Sequence, residues 1–211
     1  MDIKSTLYTI PGILLGLTVH EFCHAFCAWK LGDSTARDQG RLTLNPLKHI
    51  DIVGFIFIII AGFGWAKPVQ FDPWQLKNYR RDKALIAAAG PFSNLVLGTI
   101  LVFIIKAIIF YYGKTGSDIN VFLENYLFNV LFIAASINFG LFIFNLIPIP
   151  PLDGSHIVFS GLNLKFETEE KIRKIGMPVL ILILLIQNFL DITIIPIGYM
   201  IETIMVFLFR I

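Results

Sequence analysis

Long apolar runs alternate with short polar breaks along this chain, and most of the runs are long enough to cross a bilayer. The first covers residues 7–29. It has neither the basic start nor the small-residue cleavage site of a signal peptide, so it is expected to persist as a spanning helix. Residues 52–66 are apolar but short for a span, and Gly54, Gly62 and Gly64 interrupt them before Lys67 and Pro68. That pattern predicts a re-entrant, hairpin-like segment. The runs at 84–112, broken by Gly90-Pro91, and at 122–147, ended by Pro148, Pro150 and Pro151, are each long enough to cross. After a polar stretch at 163–174 the chain is apolar again at 177–190 and 192–209, with Asp191 and Pro196 between and within them. These last two runs read as two spans, or as one span and an interfacial helix. The expectation is an all-α polytopic membrane protein with about five to six hydrophobic segments. It is expected to be a single domain over 1–211, with a core at about 8–160 and C-terminal membrane segments at 176–211.

Composition supports that solvent. The 211 residues are 56% hydrophobic and 15% charged, with a mean hydropathy of +0.75, against about 25% charged in soluble domains. A disordered chain is excluded, and a net charge of +2 leaves no basic face for nucleic acid. Lys and Arg accumulate on the cytoplasmic side of membrane proteins, and here they mark topology. If 52–66 does not cross, then 30–83 and 148–175 share one side and hold 13 of the 17 basic residues. Only Lys4 and Lys114 then fall opposite, whereas a crossing segment would erase the bias. The non-crossing arrangement puts the N-terminus outside and the ends of the first and third full spans at the cytoplasmic face. Cys23 and Cys27, four apart in an apolar run, are no disulfide framework and read as packing groups.

The few polar residues inside the apolar runs carry the chemistry. His20, Glu21 and His24 form a His-Glu-x-x-His pattern within the first span. Two histidines four apart on a helix are separated by about 6 Å of rise and about 40° of rotation, so both imidazoles reach one tetrahedral zinc. Glu21 is offset from that axis, which suits a general base that takes the proton of an attacking water. In hydrocarbon each ionisable group costs on the order of 2–3 kcal/mol if nothing compensates it, and a cation would. The best third ligand is Asp153, just after the proline-broken end of the third full span and on the same predicted face as His24. His156 is a weaker alternative, and Asp191 is predicted at the opposite face.

Further motifs accompany this pattern: Gly90-Pro91-Phe92-Ser93-Asn94, then Asn145-Leu-Ile-Pro-Ile-Pro-Pro-Leu-Asp153-Gly154, then Gly40-Arg-Leu-Thr-Leu-Asn-Pro-Leu-Lys-His-Ile-Asp51 and Gly64-Trp-Ala-Lys-Pro-Val69. Together they resemble the site-2 proteases, zinc metalloproteases that cut within membranes, over residues 8–160 or so. The resemblance implies one zinc ion held by His20, His24 and Asp153, with Glu21 catalytic. It implies Asn94 and Asn145 as contacts to the substrate backbone or the oxyanion, against the plainer reading of interhelical hydrogen bonds. It also implies a membrane-embedded β-hairpin after the first helix, able to receive an extended substrate segment by strand addition. Its expected substrates are single-pass membrane proteins or signal-peptide remnants in a prokaryotic cell membrane, cut from the cytoplasmic side, with a regulatory membrane partner or an oligomer as further company. At this length no room is expected for PDZ or CBS domains. A metal or proton transporter using the buried His, Glu and Asp groups, and a non-catalytic membrane adaptor, are the competing classes.

Overall fold

A computed structural model describes residues 3–61, 64–116, 118–123, 126–162, 164–189 and 193–211. Helix α1 (Ile3–Lys30) opens the chain, and a short α2 (Thr35–Asp38) and a 3-10 turn at Pro46–Lys48 follow. Next come α3 (Ile52–Ala61), a second 3-10 turn at Pro73–Gln75, and α4 (Tyr79–Thr115). The remainder is α5 (Ile119–Leu123), α6 (Tyr126–Asn145), α7 (Asp153–Gly161), α8 (Phe166–Phe189) and α9 (Ile197–Arg210). Three helical stretches are long and apolar enough to cross a membrane: 6–30 in α1, 79–115 in α4 and 126–145 in α6. α8 and α9 are not in that set. The first turns of α8 carry Glu167, Glu169, Glu170, Lys171, Arg173 and Lys174, and the 14 residues of α9 extend about 21 Å, short of a hydrocarbon core of about 30 Å.

α4 runs unbroken through Gly90-Pro91, where the sequence predicted an interruption. Proline removes one backbone hydrogen bond, but the turns on either side and the packed neighbours hold the helix. Asn78 caps its start, the side chain accepting from the Arg81 N–H at 3.3 Å, and Gly116 ends it at a left-handed φ of 67°. α1, α4 and α6 pack on one another as the central bundle. Small residues set their spacing: a Cβ at Gly12 would lie 2.8 Å from the Ala134 Cα, so α1 and α6 touch backbone to backbone. Val102, Ala135 and Phe139 are fully buried between α4 and α6, with Met205 of α9 closing the same cluster. The Lys106 ammonium donates to the Leu208 carbonyl at 3.2 Å, near the end of α9, where a helix presents its partial negative charge. α8 is fastened at its N-terminal end, where buried Lys83 of α4 meets Glu169 at 2.7 Å.

The expected β-hairpin after the first helix is replaced by α3, and the described residues there contain only one antiparallel bridge, Ile50 to Ala66. Isolated paired strands leave edge N–H and C=O groups that hydrocarbon cannot satisfy, whereas a helix bonds its own backbone. Asp51 caps α3, its side chain accepting from the Gly54 N–H at 2.8 Å. The chain comes back to where it left: Ile50 pairs with Ala66, the Lys67 N–H donates to the His49 carbonyl at 2.8 Å, and Trp65 packs on Phe57. Gly62 lies outside the described residues. Residues 64–76 then run without regular helix or strand apart from the Ala66 bridge and the 3-10 turn. Buried Asp33 ties them down, accepting from the Thr35 N–H at 2.9 Å and the Asp72 N–H at 2.8 Å.

Gly12→Val should lower unfolding stability in detergent by about 1–3 kcal/mol, because the contact it meets is backbone and cannot rotate aside. Gly113→Ala, where a Cβ meets nothing within 4 Å, should leave the unfolding midpoint level or slightly raised in the same thermal or denaturant titration.

Candidate metal centre

One turn of α1 presents His20, Glu21 and His24, all buried, to the bundle interior. Asp153 is the first residue of α7, reached through the proline-rich loop that follows the end of α6 at Asn145. Gly154 allows the approach, since a Cβ there would strike the Leu146 carbonyl. The Asp153 Oδ2 lies 3.2 Å from the His20 Nε2 and 3.3 Å from the His24 Nε2, and the two Nε2 atoms are 3.0 Å apart. These three residues are the group among the described residues whose ligand atoms converge closely enough to hold a metal.

Their outer atoms decide the tautomers. The His20 Nδ1–H donates to the Asn94 Oδ1 at 2.6 Å, and the His24 Nδ1–H donates to the Ile86 carbonyl at 2.7 Å. Neutral imidazoles so held turn both Nε2 lone pairs toward each other and toward a carboxylate oxygen, which is itself buried without a hydrogen-bond donor. Three acceptors packed this closely repel unless a cation lies among them. Bonds of about 2.0–2.1 Å to a tetrahedral zinc would place ligand atoms about 3.3 Å apart, close to the spacings found. Gly90 supplies the room on the α4 side, because a Cβ there would collide with both imidazole rings. The donor set, its spacing and its outer hydrogen bonds therefore fit one zinc ion.

Asn94 is fully buried, and its contacts join His20 to α1 and α6, the interhelical hydrogen bonding that was the plainer of its two expected readings. Its Oδ1 receives the imidazole, while its Nδ2 donates to the Gly16 carbonyl at 3.0 Å and the Asn138 Oδ1 at 2.8 Å. Asn138, also fully buried, donates in turn to the Ala134 carbonyl at 2.8 Å. Its part in this network was not anticipated, although an amide alone in the middle of an apolar run is a signal for it. Asn145 is half-buried at the end of α6, its Nδ2 donating to the Leu141 carbonyl at 3.0 Å. Glu21 is not in the ligand group, and its Oε2 accepts the Val69 N–H at 2.9 Å.

Cys23 and Cys27 are free thiols lining an apolar groove of about 500 Å³ with Phe26, Phe92 and Val96, and neither belongs to the ligand group. His156 sits three residues along α7 from Asp153 but turns to α8, with the Arg173 Nη2 3.2 Å from its Nδ1. Burial first, and then the positive charge of Arg173, push its pKa down to about 4, so it is neutral at pH 7. Asp191 lies outside the described residues.

A helical bundle that buries a His-Glu-x-x-His turn against an aspartate is the architecture of a membrane metallohydrolase. Residues 113–187 match the model described as Peptidase family M50, a stretch that holds Asp153 but not the α1 pair. A Bacillus subtilis protein provisionally named zinc metalloprotease YwhC is 41% identical over 151 residues, covering 72% of this chain and 67% of that one. A Mycolicibacterium smegmatis protein provisionally named zinc metalloprotease Rip2 is 32% identical over 164 residues, covering 74% and 58%. A Methanocaldococcus jannaschii protein, provisionally named zinc metalloprotease MJ0611, is 26% identical over 148 residues, covering 68% and 64%. No solved structure matches the chain. The chain belongs to peptidase family M50, the site-2 proteases, and is an integral membrane zinc metalloprotease by family.

Asn94→Ala should leave the bundle folded and weaken zinc binding by about 10–100-fold, the usual cost of losing the partner that orients a ligating histidine. Competition against a chromogenic chelator measures it.

Proposed function

We propose that this chain is an intramembrane zinc endopeptidase that hydrolyses a peptide bond in or beside the transmembrane segment of a single-pass membrane protein or a signal-peptide remnant. The observation that carries this reading is the convergence of His20, His24 and Asp153 lone pairs next to Glu21, inside apolar helices. Zinc, when bound, polarises the scissile carbonyl and acidifies water. Glu21 takes the proton of the attacking water and hands it to the leaving amine. Asn94, through His20, holds a ligand in one tautomer, and Asn145, at the end of α6 before the loop to Asp153, contacts the substrate backbone. A proton or metal transporter is the poorer reading. It has no need of a carboxylate offset from two zinc-spaced histidines, and the family is one of proteases.

In this reading 1–211 works as one domain, with the catalytic core at about 8–160 and the segments at 176–211 packed against it. α8 and α9 add to the three long spans to make five to six membrane segments in all, and α3 dips into the bilayer and returns. The N-terminus lies outside, the site opens to the cytoplasm of a prokaryotic cell, and a membrane partner or self-association selects the substrate. The extended backbone at 64–72, rather than a regular β-hairpin, offers the edge to which an unwound substrate segment adds.

Glu21→Gln should retain one zinc per chain and lose about 10²–10⁴-fold in cleavage rate, read by metal analysis and by membrane fragments that accumulate only with the wild type. Equal cleavage by both forms would exclude the mechanism. Stripping the metal with a chelator should stop cleavage, and added zinc should restore it.

A further inference from the structure

Arg41 is buried in the loop between α2 and α3, at 6% exposure, although it carries a guanidinium. No ion pair of Arg41 is found among the described residues. Its Nη2 donates instead to the Lys67 carbonyl at 2.5 Å. Two residues further on, the Val69 N–H donates to the Glu21 Oε2 at 2.9 Å. Between them stands Pro68, which has no N–H to contribute and fixes its own φ. On the other side the Lys67 N–H is taken by the His49 carbonyl, and Ala66 by its bridge to Ile50. The short extended stretch 66–69 is thus clamped at each polar backbone atom named here, and the last of those atoms touches the proposed base.

A base next in sequence to a metal ligand has a specific difficulty. Its carboxylate hangs on a flexible side chain one residue from His20, and rotation toward the ligands would let it bind the metal and lose its role. A hydrogen bond from a fixed backbone N–H holds one oxygen away and leaves the other for water. The Arg41 charge also attracts the Glu21 carboxylate through space, which biases it toward the same side.

We propose that Arg41 is a positioning residue for the reaction: by holding the Lys67 carbonyl it sets the Val69 N–H on Glu21 and fixes the orientation of the base. This rests on the protease reading above. Arg41 touches neither metal ligands nor Glu21 by hydrogen bond, so its effect falls on turnover and leaves zinc in place.

The test uses the full chain in detergent, with a quenched fluorescent peptide built on a helix-breaking transmembrane sequence and selected because the wild type cuts it and Glu21→Gln does not. Arg41→Gln should keep one zinc per chain, lower kcat at least 10-fold, leave KM within threefold, and speed hydrogen–deuterium exchange across 66–71 at least 10-fold. Arg41→Lys, with one cationic donor, should recover part of each. Val69→Pro deletes the N–H and should fall at least 10-fold below Val69→Ala in kcat. Arg41→Gln combined with Val69→Pro should be no slower than the slower single variant, since both act through the Val69 N–H to Glu21 bond. Multiplied losses, unchanged exchange in Arg41→Gln, or a raised KM at constant kcat would overturn the proposal. If Arg41→Gln loses its zinc through misfolding, the Val69 pair decides: equal rates for Pro and Ala refute the role of the N–H. If no peptide separates the wild type from Glu21→Gln, the protease reading fails, while exchange across 66–71 still reports whether Arg41 orders that stretch.

Discussion

Three lone pairs pointed at one another in a helix bundle are the constraint around which this molecule is arranged. The Nε2 atoms of His20 and His24 and the Asp153 Oδ2 lie 3.0–3.3 Å apart, with both imidazoles buried. Neutral imidazoles cannot all donate inward, because each has given its single N–H to an outer acceptor. A cation resolves the conflict, and the fold supplies the geometry that makes the conflict worth resolving. The outer acceptors are themselves anchored: Asn94 reaches the α1 backbone and Asn138, and Asn138 reaches its own helix α6. One buried chain of amides thus ties α1, α4 and α6 together through the imidazole of His20. The same helices approach closely enough to do this because Gly12 and Gly90 carry no side chain at the contacts.

How much of this was legible beforehand depended on whether the signal was local. His20, Glu21 and His24 sit within one turn, so spacing alone puts them on one face, and Asp153 stood out as an acid at a broken helix end. Asn94 was visible as a residue near the site, but the sequence does not show which neighbours its amide faces, and those neighbours come from 78 and 44 residues away. Asn138 was passed over for the same reason. The β-hairpin after the first helix was expected from the family resemblance, and the re-entrant reading of 52–66 from its length and its glycines. A ten-residue apolar helix bonds its own backbone where an isolated hairpin would leave edge groups open, and α3 is what these residues form. Gly90-Pro91 looked like a break because glycine and proline punctuate soluble helices. In α4 the pair lies inside a continuous helix, with the glycine needed for the imidazoles that pass beside it.

Irregular backbone beside a membrane bundle needs partners for its polar groups, and several of those in 66–72 have them. Lys67 gives its N–H to His49 and its carbonyl to Arg41, Pro68 has no N–H, Val69 gives its N–H to Glu21, and Asp72 gives its own to Asp33. Irregular backbone packed on an apolar bundle is stable where protein supplies the partners, so the acids and the buried arginine that bond to this stretch are part of what holds it. Glu21 consequently answers two demands at once. As a buried carboxylate it needs donors, and as a base it needs one oxygen left uncommitted. A single backbone N–H meets both, where a side-chain ammonium would have neutralised it. The cation of the pair is therefore held one step back, on the carbonyl of Lys67, near enough to steady the carboxylate and too far to claim its proton-accepting oxygen.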